Sequence, residues 1–425
     1  MMRYKILISV VATFIISSST LLARIVIPPI SGPIIKKISI FVPELINPVA
    51  GSRDEKAREF IEVLRNDLLN AALFDVHDGS GISVDREEDI NLQSFFEAGA
   101  EALVRGEYQS SGNTTTVTLR LFDVVQEREL LGRSYEAPPG AVRWAAHRFA
   151  SAVMRELTGI DGFFNSKIVF VSGTEQNKDL FIMDYDGNNV RRLTNHHSLV
   201  LSPNCSLDGA KIVFNSDKVS DHDIYVLNLT PKTQERRLIG VIRPAQTGVW
   251  SPDGREIAYS GGDGDIFIAN ADGSGTVNLT HHPAINVSPT WSPDGKQIAF
   301  VSDRSGEPQI YVMNSNGSNV KRITSGGYST DPSWSPNIEV NKIAFVRVEG
   351  AEANIFIINP DGSDEQRLTS GSRRNENPSW SPDGHYIAFS STRSRSENIY
   401  IMYFNGENQR PLTKDGGKSF PTWCR

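Results

Sequence analysis

The phrase Pro-Thr-Trp-Ser-Pro-Asp-Gly at 289–295 recurs through the second half of the chain, and its period restricts the fold more than any other feature. After it come Ile298-Ala299-Phe300, then Ile310-Tyr311-Val312-Met313-Asn314, a turn at Asn316-Gly317, and Lys321-Arg322-Ile323-Thr324. The same order starts from Trp250, Trp334 and Trp380, with a degraded copy around Cys205-Ser206-Leu207-Asp208-Gly209. Marker positions 205, 250, 291, 334, 380 and 423 stand 45, 41, 43, 46 and 43 residues apart. Each unit reads as four short strands separated by Asp-Gly or Asn-Gly turns, whose residues accept the positive φ of tight hairpins. Four antiparallel strands in a unit of this length make one propeller blade. A solenoid of similar period needs helices or stacked parallel strands, and neither pattern is present.

The ends of the repeat region predict how the ring closes. Its first unit, Ser166 to Thr194, has Ile168-Val169-Phe170, Leu180-Phe181-Ile182-Met183 and Arg192-Leu193-Thr194 but no leading Pro-x-Trp strand. The last residues, Phe420-Pro421-Thr422-Trp423, supply that strand. Residues 166–425 therefore read as a six-bladed β-propeller closed by the C-terminal strand, which leaves no open sheet edge in the ring. The recurring Trp reads as core between blades. The Asp of Ser-Pro-Asp-Gly recurs too regularly for a catalytic acid and reads as a turn cap, and Asp263-Gly264-Asp265 reads as a hairpin in preference to a metal loop. Cys205 takes a Trp position and Cys424 follows one, in neighbouring blades two and one. A disulfide there would staple the seam, and two free thiols are the alternative.

The front of the chain is different. Arg3 and Lys5 precede an apolar run from Ile6 to Ile16, then Ser17, Ser18, Ser19, Thr20 and Ala23. That layout predicts a signal peptide over 1–23, since the run falls short of the ~20 apolar residues that span a bilayer. The net charge of −7 argues against a nucleic-acid partner held through its phosphates. Over 37–160 no repeat is visible, and the periods are mixed. Ile38, Ile40 and Val42 alternate with Lys37, Ser39 and Phe41, which predicts a strand ending at Pro43. Ser52 and Glu55 have capping-box spacing ahead of a helical face of Phe60, Ile61, Leu64, Leu68 and Ala72. Thr114 to Phe122 alternates as an amphipathic strand, and Glu129 to Tyr135 is expected to pair with it. Val142, Ala146, Phe149, Val153 and Leu157 predict a second helix closed by Gly159, with His147 a surface or core-edge residue. The fold class is thus α+β multidomain, a small α/β domain ahead of the propeller.

With these features in this order the chain resembles the TolB family, periplasmic members of the Tol-Pal system. The resemblance covers nearly the whole chain. It also rests on Arg24-Ile25-Val26-Ile27 after the predicted cleavage site, Leu64-Arg65-Asn66 in the first helix, Leu157-Thr158-Gly159-Ile160 at the domain junction, and the final Phe420-Pro421-Thr422-Trp423. It implies a monomeric, non-catalytic adaptor with no cofactor, and no ligand set in the sequence identifies a metal. It further implies two partners: the peptidoglycan-associated lipoprotein Pal at one end of the propeller channel, and inner-membrane TolA on the segment 24–36, beginning Arg24, Ile25, Val26, Ile27. Carried over by position, the Pal-facing loops that run into each Pro-x-Trp strand are Thr247-Gly248, Asn286-Val287-Ser288, Ser329-Thr330-Asp331, Asn375-Glu376-Asn377 and Lys418-Ser419. Before Trp250 the chain has Pro244 where a partner-contacting histidine is implied, while His281, His282, His196 and His197 in such loops read as solvated.

Two other classes compete. A hydrolase of the prolyl-oligopeptidase type needs a further α/β domain with a Gly-x-Ser-x-Gly turn, a pentapeptide the sequence lacks. A lyase or glycosidase propeller needs convergent acids or metal ligands on one face. A polysaccharide-binding propeller needs exposed aromatics in the channel loops, where Tyr328 and Phe420 are the candidates.

Overall fold

A computed structural model describes residues 36–46, 55–82, 91–111, 114–138, 140–219, 222–229, 234–238, 241–371 and 373–425. Residues 1–23, predicted as a signal peptide, Arg24 to Ile27 and Ser52 lie outside them.

The first domain is a five-stranded sheet with helices against it. Strands β1 (Ile38–Phe41), β2 (Phe74–His77), β3 (Ala102–Ser111), β4 (Thr114–Asp123) and β5 (Arg128–Ala137) lie in the order β2-β1-β3-β4-β5. β1 is parallel to both neighbours, and β3, β4 and β5 form an antiparallel meander. Helices α1 (Glu55–Asn70) and α3 (Val142–Thr158) bury their apolar stripes, Phe60, Leu64 and Leu68 with Phe149, Val153 and Leu157, in one core with Ile40, Leu119 and Leu121. Gly159 ends α3 with φ 77°, its N–H donating to Arg155 O, a left-handed cap that only glycine adopts at little cost. The alternation in β1 is incomplete: Phe41, on the face expected to be polar, packs with Phe95 of the short helix α2 (Leu92–Glu97) and with Phe122 in a second core.

The rest is six antiparallel sheets of four strands, one per blade. The inner strands are Val200–Cys205, Ala245–Trp250, Asn286–Trp291, Tyr328–Trp334, Asn375–Trp380 and Lys418–Cys424. Each neighbours the next around the channel, and Lys418–Cys424 lies beside both the last and the first of the others. It pairs antiparallel with Lys167–Gly173, Trp423 opposite Ile168 and Thr422 opposite Val169, so blade one is built from both ends of the domain. Trp250, Trp291, Trp334, Trp380 and Trp423 are 4–8% exposed and lie in cores shared by adjacent blades. The Asp-Gly turns cap as predicted. Ser292 Oγ donates to Asp294 Oδ1 at 2.7 Å, the Lys296 N–H to the same oxygen at 3.1 Å, and Gln297 N–H to Ser292 Oγ at 2.9 Å. Outer strands are short, and five of the six carry Arg191, Arg192, Arg237, Lys321, Arg322, Arg367 or Arg410, charges that keep open sheet edges from pairing with other chains, while Val277–Asn278 carries none.

In every inner strand the residue three before the marker has a left-handed backbone. These are Ser202, Thr247, Ser288, Asp331, Asn377 and Phe420, with φ between 48° and 54°. The ladder skips at the same place in each blade, the mark of a β-bulge.

Cys205 and Cys424 are joined, their Cα atoms 5.4 Å apart across 219 residues of chain. In the chain-entropy account such a loop contributes about 5 kcal/mol. Cys205→Ser is therefore expected to lower the urea-unfolding free energy by up to that amount. A reducing agent should bring the unmodified protein to the same value.

Candidate partner-binding site

The inner strands give the ring two different ends. Each starts at an exposed loop on one end and finishes at its marker on the other, Trp in five blades and Cys205 in blade two. The Trp end is where the first domain docks: Trp423 Nε1 donates to Ser166 Oγ at 2.6 Å, and its ring lies 5.8 Å from that of Phe163. Tyr386 and Tyr403 of blade six donate their hydroxyls to Asn70 O at the end of α1, at 2.9 and 2.7 Å. Beside this contact, a cleft of about 1220 Å³ separates the linker around Asp161 from Ile338, His385 and Phe404. The opposite mouth carries the residues assigned from sequence.

Those residues are not loop residues. Thr247 and Gly248, Asn286 to Ser288, Ser329 to Asp331, Asn375 to Asn377, and Lys418 and Ser419 all lie in the first halves of inner strands. The bulge is the reason: the left-handed residue and the proline after it look like a loop in sequence, while the ladder continues on both sides. Asn286, Ser329 and Asn375 have no exposed surface, and Lys418 and Ser419 are buried. Gly248 stands where the other copies have proline, and a Cβ there would meet Val213 Cγ2 at 3.0 Å. It is a packing residue. Thr247, Val287, Ser288, Thr330, Asp331, Glu376 and Asn377 stay half-buried around the mouth.

The buried asparagines hold a set of cations that sequence reasoning missed. Asn286 Oδ1 accepts from Arg304 at 2.7 Å and Asn375 Oδ1 from Arg393 at 2.8 Å. Each guanidinium lies over an aromatic pair within its blade. Arg304 is 5.4 and 5.1 Å from the Phe300 and Tyr311 rings, Arg393 5.3 and 4.8 Å from Phe389 and Tyr400. Arg347 repeats this over Phe345 and Phe356, and Lys218 caps Tyr225. The available signal was a cation two or four residues after the Phe of the second strand.

An acidic sector lies beside Arg393, in blades five and six. Burial, reinforced by the charge of Glu376, pushes the Asp331 carboxyl up to about 6. Glu397 is also raised, by burial first, with Glu376 adding to it. Around the rim Ile242 and Ile285 ahead of their inner strands, and Tyr328 at the start of the next, are exposed in three successive blades, with Arg373 and Arg374 ahead of the inner strand of blade six. The histidines are less uniform than expected. His281 and His282 are exposed, the latter accepting from the Ala284 N–H at 3.0 Å, whereas half-buried His196 pairs with Glu235 at 2.6 Å. His147 departs furthest from expectation: 3% exposed, it is sealed between the two domains rather than set at a surface.

A closed six-bladed ring, capped at one end by an α/β domain and open at the other, defines a two-domain propeller protein whose free surface is a loop-rimmed channel mouth. Residues 154–425 match the family described as the TolB beta propeller domain, and residues 29–130 the TolB amino-terminal domain. The chain belongs to the TolB family. A "Tol-Pal system protein TolB" of Desulfosudis oleivorans is 35% identical over 326 residues, covering 74% of this chain and 64% of that protein. One of Anaeromyxobacter dehalogenans is 35% identical over 248 residues, covering 56% and 57%. The chain thus spans less than two thirds of the length of these relatives. The crystal structure of TolB from Acinetobacter baumannii superposes with a TM-score of 0.77 at 24% identity, covering 92% of this chain and 97% of that one, and shows the same fold.

Ionised Asp331 costs stability in the folded state, because its folded value lies above that of a free carboxylate. The cost is complete above pH 6 and absent below about pH 4. Channel water reaches part of this side chain, which reduces the effect to about 1–2 kcal/mol. Asp331→Asn is expected to raise the urea midpoint at pH 8 and leave it unchanged at pH 4.

Proposed function

We propose that the protein is a non-catalytic periplasmic adaptor of the Tol-Pal system. In this reading the channel mouth binds the peptidoglycan-associated lipoprotein Pal, and the segment 24–36 binds TolA of the inner membrane. The pairing would support outer-membrane integrity and constriction at division. The observation that carries the reading is the match of both domains, in order, to the two TolB domain families. The architecture supports it in two ways. The mouth faces away from the docked domain and is free to take a partner. Its half-buried polar side chains, apolar rim and clamped arginines resemble a protein interface more than a catalytic pocket. Among the described residues no helix is long and apolar enough to cross a membrane.

The test is a pull-down from solubilised envelopes with the chain beginning at Arg24 and a version beginning at Lys36. Both should recover a peptidoglycan-binding lipoprotein, and the longer form alone an inner-membrane partner. Thr330→Arg, which places bulk and charge at the mouth, should cut lipoprotein recovery about tenfold, ~1.4 kcal/mol, without lowering the Tm. Recovery of no envelope protein by either form would overturn the reading.

A further inference from the structure

The two domains meet across a polar cluster sealed from water. Asp67 of α1 is 1% exposed, His147 of α3 3%, and Tyr185 of blade one fully buried. Asp67 accepts from His147 Nδ1 at 2.7 Å and from the Tyr185 hydroxyl at 2.5 Å. The other imidazole nitrogen, Nε2, has no hydrogen-bond partner among the described residues and lies 3.8 Å from Asp186 Oδ2 of the propeller. Arg143, one turn back on α3, holds the same Asp186 oxygen. Asp184 faces the cluster from the end of its strand, engaged by Lys167 of the preceding strand and by Asn189. Arg410 of blade six acts on Tyr185 from the far side. Ligand atoms of His147, Asp184 and Asp186 fall within 4.8 Å of one another. Arg143 and Lys167 already engage both carboxylates, so the charge is balanced without a metal ion.

The geometry gives the two protonation states of the ring different contacts. A neutral imidazole that donates from Nδ1 to Asp67 must turn the Nε2 lone pair toward the Asp186 carboxylate. A protonated ring donates from both nitrogens, and a small rotation brings Nε2–H onto Asp186. One cation then bridges a carboxylate of the α/β domain and a carboxylate of the propeller. We propose that His147 is a proton-dependent latch between the two domains: protonation ties Asp67 to Asp186 and tightens docking on blade one, and deprotonation loosens it. The latch does not depend on which partners the protein binds.

The sign follows from the groups present. Histidine changes charge between pH 5 and 8. The second hydrogen bond of the protonated ring, to Asp186, exists only when the domains are docked, so acid favours docking and rising pH weakens it.

Hydrogen exchange on the full chain at pH 5.5 and 7.5, corrected for the intrinsic rate, reads this directly. The Tyr185 N–H donates to Ser166 O and the Gly187 N–H to Asp184 O, so both report on the latched turn. Their protection should fall about tenfold from pH 5.5 to 7.5, while the amide of Ile298 in blade four stays unchanged. His147→Gln, which cannot gain a proton, should make the interface amides independent of pH. Asp186→Asn should do the same through a half-buried turn residue, and it carries the test if the histidine variant fails to fold. A flat profile in the unmodified protein, or the same pH dependence in Asp186→Asn, would overturn the latch.

Discussion

The pairing of Lys418–Cys424 with Lys167–Gly173 is the contact on which the rest of the molecule depends. Without it, blade one lacks its inner strand, and the sheet edge at Lys167–Gly173 would face the channel unpaired. The same few residues serve three boundaries. Trp423 closes the ring, its indole donates to Ser166 where the propeller begins, and Cys424 bonds to Cys205 of blade two. The rings of Phe163, Tyr386 and Trp423 meet there, in one apolar core with Phe60, Leu64 and Phe149 of the first domain. Ring closure and domain docking are consequently one packing problem. A propeller that failed to close would present the first domain with an incomplete surface.

Much of this was legible in the residues because blade packing repeats. Each blade must place a large flat side chain against its neighbour and turn sharply after it, so Trp and Asp-Gly recur at fixed spacing, and the missing strand of the first unit pointed to the last residues. The α/β domain was legible where its period was clean, in α1, α3 and β4. It was not legible at Phe74–His77, where the alternation runs for only four residues, nor at Ala102–Ser111, where Arg105 and Gly106 interrupt the pattern. The first is a strand because β1 pairs with it in parallel, a long-range condition that no local window contains. His147 was misread for a related reason. Along α3 it flanks the apolar stripe, and only Asp67 from α1 and Tyr185 from the propeller make its position an interior one.

At the mouth, repetition and variation divide the work along a single strand. The bulge recurs in all six blades, which shows that it belongs to the ring: it re-aims the residue before the proline at each turn of the channel wall. The side chain it carries varies, from Ser202 and Ser288 to Asp331 and Phe420. Two residues before it, Asn286 and Asn375 are spent on holding Arg304 and Arg393 against aromatic pairs. Cation–π contacts with neutral oxygen acceptors fix a guanidinium without cancelling its charge. The mouth therefore offers rigid positive groups beside an acidic sector around Asp331, Glu376 and Glu397, a pattern that favours selectivity for a partner over bulk affinity.

The strand direction explains why the two ends of the ring can be put to different uses. Every inner strand enters from an exposed loop and leaves through its marker residue, Trp in five blades and Cys205 in blade two. One end is irregular by construction, and the other is a regular apolar floor. The regular end suits a permanent contact, and α1 and α3 occupy it across blades six and one. The irregular end can change residue by residue without disturbing inter-blade packing, since the bulge isolates its side chains from the ladder below. A change in docking at the floor reaches the mouth only through the inner strands, and those of blades six and one lie closest to the interface. Glu376 and Asn377 begin one of these strands and Lys418 the other, so any coupling between the two ends should run through this sector of the wall before the rest of the ring.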